Sequence, residues 1–312
     1  MIYSKLGMTN LKVSRLGLGT AEIGFAYGIG PRSLPSEDEA IKLLNSAVEL
    51  GITYFDTASL YGLAEERIGR SGILKNRGVV VGTKCGNFLD KKLDLSPEEM
   101  KKTIGQEIGA SLKNLKTDHL QLLLFHGGTP ELIINSGLMD FMQKMKTDGT
   151  IGYIGISTRG EEAPIKAIES GVFDVVQTAY SILDQRMREN VLSAAEKKGV
   201  GIINRSVLLK GSLTQAVKYL PAGLELLMQN SAKAETIAVK NGMDLPTLAI
   251  RFAISNSSIS TSLVGTNRLD NLSKSVAAVE SGALSNEILA ELYGLGISDP
   301  KQVDPALWPP LL

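Results

Sequence analysis

Eight short apolar runs alternate with helical patterns along this chain of 312 residues. Between the runs, apolar side chains recur at three- and four-residue spacing, which predicts amphipathic helices. Strict alternation of strands and helices favours a parallel sheet, because each parallel connection has to cross back over the sheet. The runs that we predict to be strands lie at about residues 15–19, 52–56, 79–84, 120–126, 152–157, 173–177, 200–205 and 260–264.

Several of the predicted helices have recognisable ends. Segments 36–39 and 96–99 each have the S-x-x-E spacing of a capping box, and the second places a proline at the first helical position. Gly199 and Gly282 follow helical stretches and are expected at helix C-termini. These signals support the alternation that the apolar pattern indicates.

Eight alternating units can form a closed barrel or an open, doubly wound sheet. The open sheet normally carries a glycine-rich fingerprint after its first strand, and segment 17–22 does not complete one. We therefore predict an α/β (β/α)8 TIM barrel as a single domain over residues 1–312, with an N-terminal β-hairpin formed by residues 2–6 and 11–14. Extended loops follow three of the strands and should lie on the C-terminal face of the barrel; they span about residues 20–35, 86–96 and 206–231.

Charge and composition restrict the classes of partner. Lys+Arg (33) and Asp+Glu (33) balance to a formal net charge of zero, and no basic stripe points to nucleic acid or an anionic membrane. The single cysteine, Cys85, excludes an internal disulfide and suits a reducing compartment. Residues 1–7 lack the apolar core of a signal peptide, and no apolar stretch approaches about 18 residues. We expect a cytoplasmic protein.

Polar side chains follow several of the apolar runs at their C-terminal ends. Asp56 ends the second run with Tyr61 in the loop beyond it, Lys84 ends the third, and His126 ends the fourth. In a parallel barrel these ends meet at one mouth, where such folds carry out chemistry. A carboxylate at the end of a buried strand is costly unless a cation meets it, so Lys84 is the expected partner of Asp56.

These four side chains suit proton transfer to a carbonyl oxygen. Tyrosine has a reference pKa near 10, so Tyr61 benefits from an adjacent cation when it donates a proton at neutral pH. Lys84 can supply that cation, Asp56 can keep it charged, and a neutral His126 can hydrogen-bond the substrate oxygen. Because no protein side chain delivers a hydride, the arrangement requires a nicotinamide cofactor.

Spaced motifs over nearly the whole chain resemble the aldo-keto reductase superfamily. They occur in the expected order at residues 11–20, 55–62, 82–84, 123–126, 154–157 and 175–177. The resemblance implies a (β/α)8 barrel, an extended NAD(P)(H), and a catalytic tetrad of Tyr61 as general acid with Asp56, Lys84 and His126. The implied reaction is the reversible reduction of an aldehyde or ketone, and the expected partner is a small-molecule carbonyl substrate.

The resemblance also implies cofactor-binding residues, and no metal site. Thr158 stands where the family more often has asparagine, and Arg205 stands where many members stack an aromatic ring on the nicotinamide. Asn271 and Ser275 replace the usual arginine and asparagine, which leaves Arg268 to pair with a 2′-phosphate. The resemblance thus favours NADP(H) over NAD(H), with a weaker preference than is usual in the family. The full set is Gly19, Thr20, Asp56, Ser157, Thr158, Gln177, Arg205, Ser206, Leu208, Gly211, Ser212, Gly265, Thr266, Asn267, Arg268, Asn271 and Ser275.

Two other functions remain open from the residues alone. The chain could be a nucleotide-sensing regulatory or interaction subunit that keeps the barrel with little turnover. It could also be a lyase that uses Lys84 as a Schiff base. The second alternative ranks last, because the neighbouring Asp56 favours a charged lysine.

Overall fold

The structure, a computed structural model, describes residues 1–91 and 94–309. The predicted loop 86–96 and the C-terminal tail each include residues outside this part of the chain. The strands are β1 Tyr3–Lys5, β2 Lys12–Ser14, β3 Leu16–Gly19, β4 Tyr54–Asp56, β5 Val80–Cys85, β6 Leu120–Phe125, β7 Ile151–Ser157, β8 Val175–Ala179, β9 Gly201–Arg205 and β10 Thr261–Gly265. The helices are α1 Glu37–Glu49, α2 Ala64–Ser71, α3 Pro97–Leu115, α4 Pro130–Asn135, α5 Leu138–Thr147, α6 Glu162–Ser170, α7 Ser193–Lys198, α8 Glu225–Lys240, α9 Leu245–Ser255, α10 Leu269–Glu280, α11 Asn286–Tyr293 and α12 Pro300–Val303.

Strands β3 to β10 form a closed parallel barrel in chain order, with β10 pairing β3. Strands β1 and β2 form a separate antiparallel pair in which Tyr3 lies opposite Ser14. The predicted (β/α)8 barrel and its N-terminal hairpin are therefore confirmed. Each barrel strand begins within two residues of the apolar run that predicted it, because every run is buried between the barrel interior and the surrounding helices.

The helix ends follow the local sequence signals. Both capping boxes form: the Ser36 hydroxyl accepts from the Glu39 amide at the start of α1, and Ser96 with Glu99 does the same at α3. Gly199 ends α7 in the left-handed region at φ 70°.

The hairpin closes the N-terminal end of the barrel. Leu6 and Val13 are fully buried and pack with residues of the barrel interior, which include Leu122 and Val175. The interior is thus a packed core at this end and is lined by polar side chains at the other.

At the opposite, C-terminal end of the barrel, the long loop after β3 approaches the loops after β9 and β10. The Asn267 side-chain amide donates to the Ser33 carbonyl oxygen at 3.3 Å, and the Lys210 ammonium lies 5.9 Å from the centre of the Tyr27 ring. Within residues 1–91 and 94–309, no helix is long and apolar enough to cross a bilayer, and no cluster of three His, Cys, Asp or Glu side chains could hold a metal ion.

Truncating a buried side chain of the N-terminal hairpin should destabilise the barrel. Leu6→Ala removes fully buried methyl groups from the barrel floor, and we expect it to lower the free energy of unfolding by about 2–5 kcal/mol. Met8→Ala is the matched control, because Met8 lies in the same hairpin with 78% of its surface exposed. Urea unfolding of both variants measures the difference; equal effects would show that the hairpin does not support the barrel.

Candidate active site

A buried ion pair lies at the centre of the C-terminal mouth. Strands β4 and β5 pair with Asp56 opposite Gly82, so Lys84, two residues further along, points to the same side of the sheet. The Lys84 ammonium donates to Asp56 Oδ1 at 2.5 Å and to the Thr57 carbonyl oxygen at 2.7 Å. Lys84 has no exposed surface and Asp56 only 3%.

The surroundings of Lys84 keep it charged. Burial by itself would lower the pKa of its ammonium, but the Asp56 carboxylate and the Tyr61 hydroxyl outweigh that effect and raise the pKa above its usual value. Lys84 is therefore a permanent cation at neutral pH.

Tyr61 reaches the ion pair from the loop that follows β4. Its backbone amide donates to the Ala58 carbonyl oxygen at 3.0 Å, forming a tight turn, and Gly62 follows in the left-handed region at φ 53°. The half-buried Tyr61 ring has its centre 5.1 Å from the Lys84 ammonium. The structure thus brings the predicted tyrosine to the predicted lysine.

His126 also lies beside Tyr61, with the two ring centres 5.7 Å apart in an edge-on arrangement. Burial, reinforced by the charges of Lys84, Arg159 and Arg205, lowers the pKa of His126 from 6.5 to about 3. Its Nδ1 atom is buried and has no hydrogen-bond partner among the described residues. The imidazole is therefore neutral at physiological pH and can hydrogen-bond an uncharged oxygen.

The second oxygen of Asp56 accepts from one residue on another strand, β8, and from one residue on its own strand, β4. The Gln177 side-chain amide donates to Oδ2 at 2.7 Å, and the Tyr54 hydroxyl donates to the same atom at 3.4 Å. Ser157 in turn donates to the amide oxygen of Gln177 at 3.1 Å. A continuous chain of hydrogen bonds therefore connects Lys84 to Ser157 across the mouth.

The residues after Ser157 and at the end of β9 form one edge of this mouth. The Thr158 hydroxyl donates to the Gln177 backbone oxygen at 3.1 Å, so it is already used within the barrel. Arg205 donates to the Thr158 carbonyl oxygen at 2.9 Å and to the Ser206 hydroxyl at 3.2 Å. Both partners are neutral, and desolvation lowers the pKa of the Arg205 guanidinium.

Two glycines leave the backbone accessible where β3 meets β10. Gly19 and Gly265 are opposite each other in the pairing of these strands, and a Cβ atom at Gly19 would find no heavy atom closer than 3.8 Å. Thr20, which follows, is fully buried and fixes the strand end by donating to the Asp56 carbonyl oxygen at 2.9 Å. A bound molecule can approach the backbone here.

The loop after β9 has an unusual backbone. Ser206, Leu209 and Lys210 have φ values of 64°, 43° and 54°, and Gly211 follows at 102°. Left-handed residues close together in a turn can direct amide groups into a concavity that binds anions, and such strain is typical of functional loops. Leu208 packs partly against the core, and Ser212 is buried with its hydroxyl on the Leu209 carbonyl oxygen.

The start of α10 follows β10 at the same edge. The Thr266 hydroxyl accepts from the Arg268 amide at 3.1 Å, and the Arg268 and Asn271 side chains are exposed. Ser275 is buried, and its hydroxyl donates to the Asn271 carbonyl oxygen at 2.8 Å, within the helix. Of the three residues predicted near a 2′-phosphate, Arg268 alone combines exposure with a positive charge.

Two residues near the site did not emerge from the sequence analysis. Tyr54 lies two positions before Asp56 on the same strand, and the two-residue period of a strand would have placed both side chains inside the barrel. Glu22 has a carboxylate oxygen 3.3 Å from the Cβ position of Gly265. Burial raises the Glu22 pKa, although Arg32 and the Asn267 amide oppose that effect. No local pattern marks Glu22, because a loop contact brings it there.

The geometry agrees with the comparisons with known proteins. A model of the aldo/keto reductase family matches residues 15–296. The chain belongs to the aldo/keto reductase family. It is 31% identical over 311 residues to the L-galactose dehydrogenase of Arabidopsis thaliana, with 93% of this chain and 92% of the relative covered.

Two further matches span most of the chain. The NADH-specific methylglyoxal reductase of Escherichia coli (strain K12) is 26% identical over 308 residues, covering 88% of this chain and 92% of the relative. The holo form of aldo-keto reductase AKR11C1 from Bacillus halodurans superposes with a TM-score of 0.79 at 25% identity, covering 96% and 97% of the two chains. The protein is therefore an oxidoreductase of a family that uses nicotinamide cofactors.

The neutral state of His126 can be tested directly, because the chain contains only two histidines. With its pKa near 3, the His126 imidazole should show no titration midpoint between about pH 5 and 8, the range in which an unperturbed histidine changes charge. NMR of the histidine ring protons, assigned with a His119→Asn variant, checks this. A His126 midpoint near pH 6.5 would contradict the desolvated environment.

Proposed function

We propose that this protein reduces an aldehyde or ketone, or oxidises an aldose or secondary alcohol, with NAD(P)(H) as the hydride carrier and Tyr61 as general acid and base. The single observation that carries the proposal is the placement of Tyr61 next to both a buried, charged Lys84 and a neutral His126. A phenol beside a fixed ammonium can donate a proton and then stay as phenolate, which the reverse direction requires.

The mouth has the chemistry to hold a dinucleotide. Ser157 and Gln177 offer a hydroxyl and an amide for a carboxamide, and Arg205 offers a planar cation that can stack on a ring. The open backbone at Gly19 and Gly265 and the left-handed turn at 206–211 suit a pyrophosphate. When bound, the nicotinamide supplies the hydride that no side chain can provide.

The protein's own groups handle the oxygen of the substrate. His126 orients the carbonyl oxygen by a hydrogen bond, and Tyr61 donates its proton to that oxygen as negative charge develops. Lys84 stabilises the phenolate that remains, and Asp56 keeps Lys84 charged and directed at Tyr61. In the oxidation direction the same phenolate removes the proton from the alcohol.

The contacts of Lys84 weigh against a Schiff-base mechanism. A nucleophilic lysine has to lose its proton and reach the substrate, whereas Lys84 is fully buried, is bonded to Asp56, and has a raised pKa. We therefore assign Lys84 an electrostatic role.

The substrate site is proposed to accept a small carbonyl compound with an apolar part. The Phe25 ring lies 6.2 Å from the Tyr61 ring, centre to centre, and Leu60 beside Tyr61 is exposed. The named activities of two relatives, an L-galactose dehydrogenase and a methylglyoxal reductase, are consistent with a small aldose or aldehyde.

Replacing the proposed general acid tests the reaction. Tyr61→Phe removes the proton donor and should lower the turnover of an aldehyde panel by about 10²–10⁴-fold. Cofactor affinity, followed by quenching of intrinsic fluorescence, should change by less than about twofold, because the phenol contributes to the transition state rather than to ground-state binding. Tyr3→Phe, in the hairpin at the opposite end, is the control. Nucleotide binding without carbonyl turnover in the wild type would favour the regulatory-subunit alternative.

For the cofactor, we propose a preference for NADP(H) that depends on Arg268, the exposed cation before α10. Arg268→Gln should weaken NADPH binding at least about tenfold, since a charge-assisted contact to phosphate is lost. NADH binding should be unchanged. Arg77→Gln is the control, because this exposed arginine lies before β5 and away from the mouth. Preferential NADH binding by the wild type would instead mean that Asn271 and Ser275 mark the loss of a phosphate site.

A further inference from the structure

Tyr54 is a buried titratable group to which the proposed reaction assigns no role. It has no exposed surface, and it lies inside the barrel below Asp56 on the same strand. Its hydroxyl donates to Asp56 Oδ2 at 3.4 Å, the atom that also accepts from Gln177. Burial and the nearby Asp56 carboxylate raise the Tyr54 pKa well above 10, so this hydroxyl remains a donor at every working pH.

Two glycines make the space that Tyr54 occupies. A Cβ atom on Gly82 would overlap the Tyr54 hydroxyl oxygen and lie 3.1 Å from its Cζ atom. A Cβ atom on Gly17 would lie 2.9 Å from a ring carbon of Tyr54. Neither glycine has a positive φ, so the backbone conformation does not require glycine at either position. Glycine is required at both positions because a Cβ atom there would take up the space of the Tyr54 ring and of its hydroxyl, which is directed at Asp56.

We propose that Tyr54 is a positioning residue for proton transfer: its hydroxyl holds Asp56 from inside the barrel and thereby sets how strongly Lys84 stabilises the Tyr61 phenolate. The proposal rests on the proposed function of Tyr61. Without the hydroxyl, the Asp56 carboxylate keeps more of its negative charge. That charge offsets more of the positive charge of Lys84 and repels the Tyr61 phenolate more strongly, and both effects disfavour the phenolate.

The other groups around the ion pair do not obscure the effect of the Tyr54 hydroxyl on the Tyr61 phenolate. His126 is neutral, Gln177 is an uncharged amide, and Tyr54 itself stays protonated. Arg205, Arg159, Tyr27 and Glu22 are further titratable groups that act on the mouth. Their side chains are unchanged in a Tyr54→Phe variant, so a difference between the two proteins reports the lost hydroxyl.

A spectroscopic titration tests the proposal without requiring turnover. Tyrosinate absorbance at about 295 nm is followed against pH, and subtracting the curve of Tyr61→Phe isolates the ionisation of Tyr61. The same subtraction is made in the Tyr54→Phe background. We expect the Tyr61 midpoint to lie about 0.5 pH unit higher without the Tyr54 hydroxyl, as the loss of one weak hydrogen bond would produce. Midpoints that agree within about 0.2 unit would overturn the proposal.

Tyr153→Phe is the matched control. Tyr153 is partly buried and packs against the same interior cluster, but its hydroxyl accepts from the Asn10 amide of the hairpin. This variant should leave the Tyr61 midpoint unchanged. A shift equal to that of Tyr54→Phe would show that any loss of a barrel hydroxyl perturbs the mouth, and it would overturn the specific role.

A second variant covers the possibility that Tyr54→Phe does not fold. Gly82→Ala pushes the Tyr54 hydroxyl away from Asp56 and should move the Tyr61 midpoint in the same direction. Where Tyr54→Phe does fold, Gly82→Ala should also lower Tm by less in that background, because the overlapping oxygen is gone. An equal loss of Tm in both backgrounds would contradict the placement of the hydroxyl.

Where the wild type turns over a carbonyl, kinetics separate this role from simple packing. The pH at which alcohol oxidation rises, which follows formation of the phenolate, should move up in Tyr54→Phe while KM for the cofactor stays within about twofold. An unchanged pH profile in an active variant would overturn the proposal. An inactive wild type would instead contradict the proposed function, and the spectroscopic titration would still decide the role of Tyr54.

Discussion

The ion pair between Lys84 and Asp56 is the interaction on which the rest of the site depends. Burying two charges is costly, and their attraction offsets the cost only when hydrogen bonds satisfy the remaining donors and acceptors. The barrel meets this condition: Thr57, directly after β4, accepts from the ammonium, while Gln177 on β8 and Tyr54 on β4 donate to the carboxylate. The arrangement keeps one fixed positive charge beside Tyr61 with almost no exposure to solvent, and low polarity strengthens its effect on that ring.

The same low polarity makes His126 and Tyr61 behave differently from Lys84. The desolvation that Lys84 overcomes through Asp56 is not compensated at His126, where the charges of Lys84, Arg159 and Arg205 add to it and no carboxylate of the described residues offsets it. The imidazole therefore stays neutral, and Tyr61 lies next to one group that is charged and another that is uncharged at working pH. That difference is the reason why we propose Tyr61, and not Lys84 or His126, as the group whose proton moves in the reaction.

Much of this arrangement could be predicted from the sequence, because it follows from strand ends. Asp56, Lys84 and His126 each end an apolar run, and a parallel barrel brings such ends to one mouth whatever the intervening loops do. The hydrogen-bond partners of individual hydroxyl groups could not be predicted in this way. Thr158 and Ser275 bond to nearby backbone oxygens, since short polar side chains find local acceptors that a linear pattern does not reveal. Glu22 reaches Gly265 only through the path of a long loop.

Gln177 connects Ser157 to Asp56, and the pattern of strand ends does not indicate this connection. Its amide nitrogen donates to Asp56 while its amide oxygen accepts from Ser157, so both ends of one rigid, planar group are already engaged. A molecule that binds Ser157 or the oxygen of Gln177 can change the second bond only by turning that plane, which alters the donor on Asp56. Because Asp56 has few other donors, such a change reaches Lys84 directly. A group bound at Ser157 or at the Gln177 oxygen would therefore act on the hydrogen bonds of Asp56 through a single side chain.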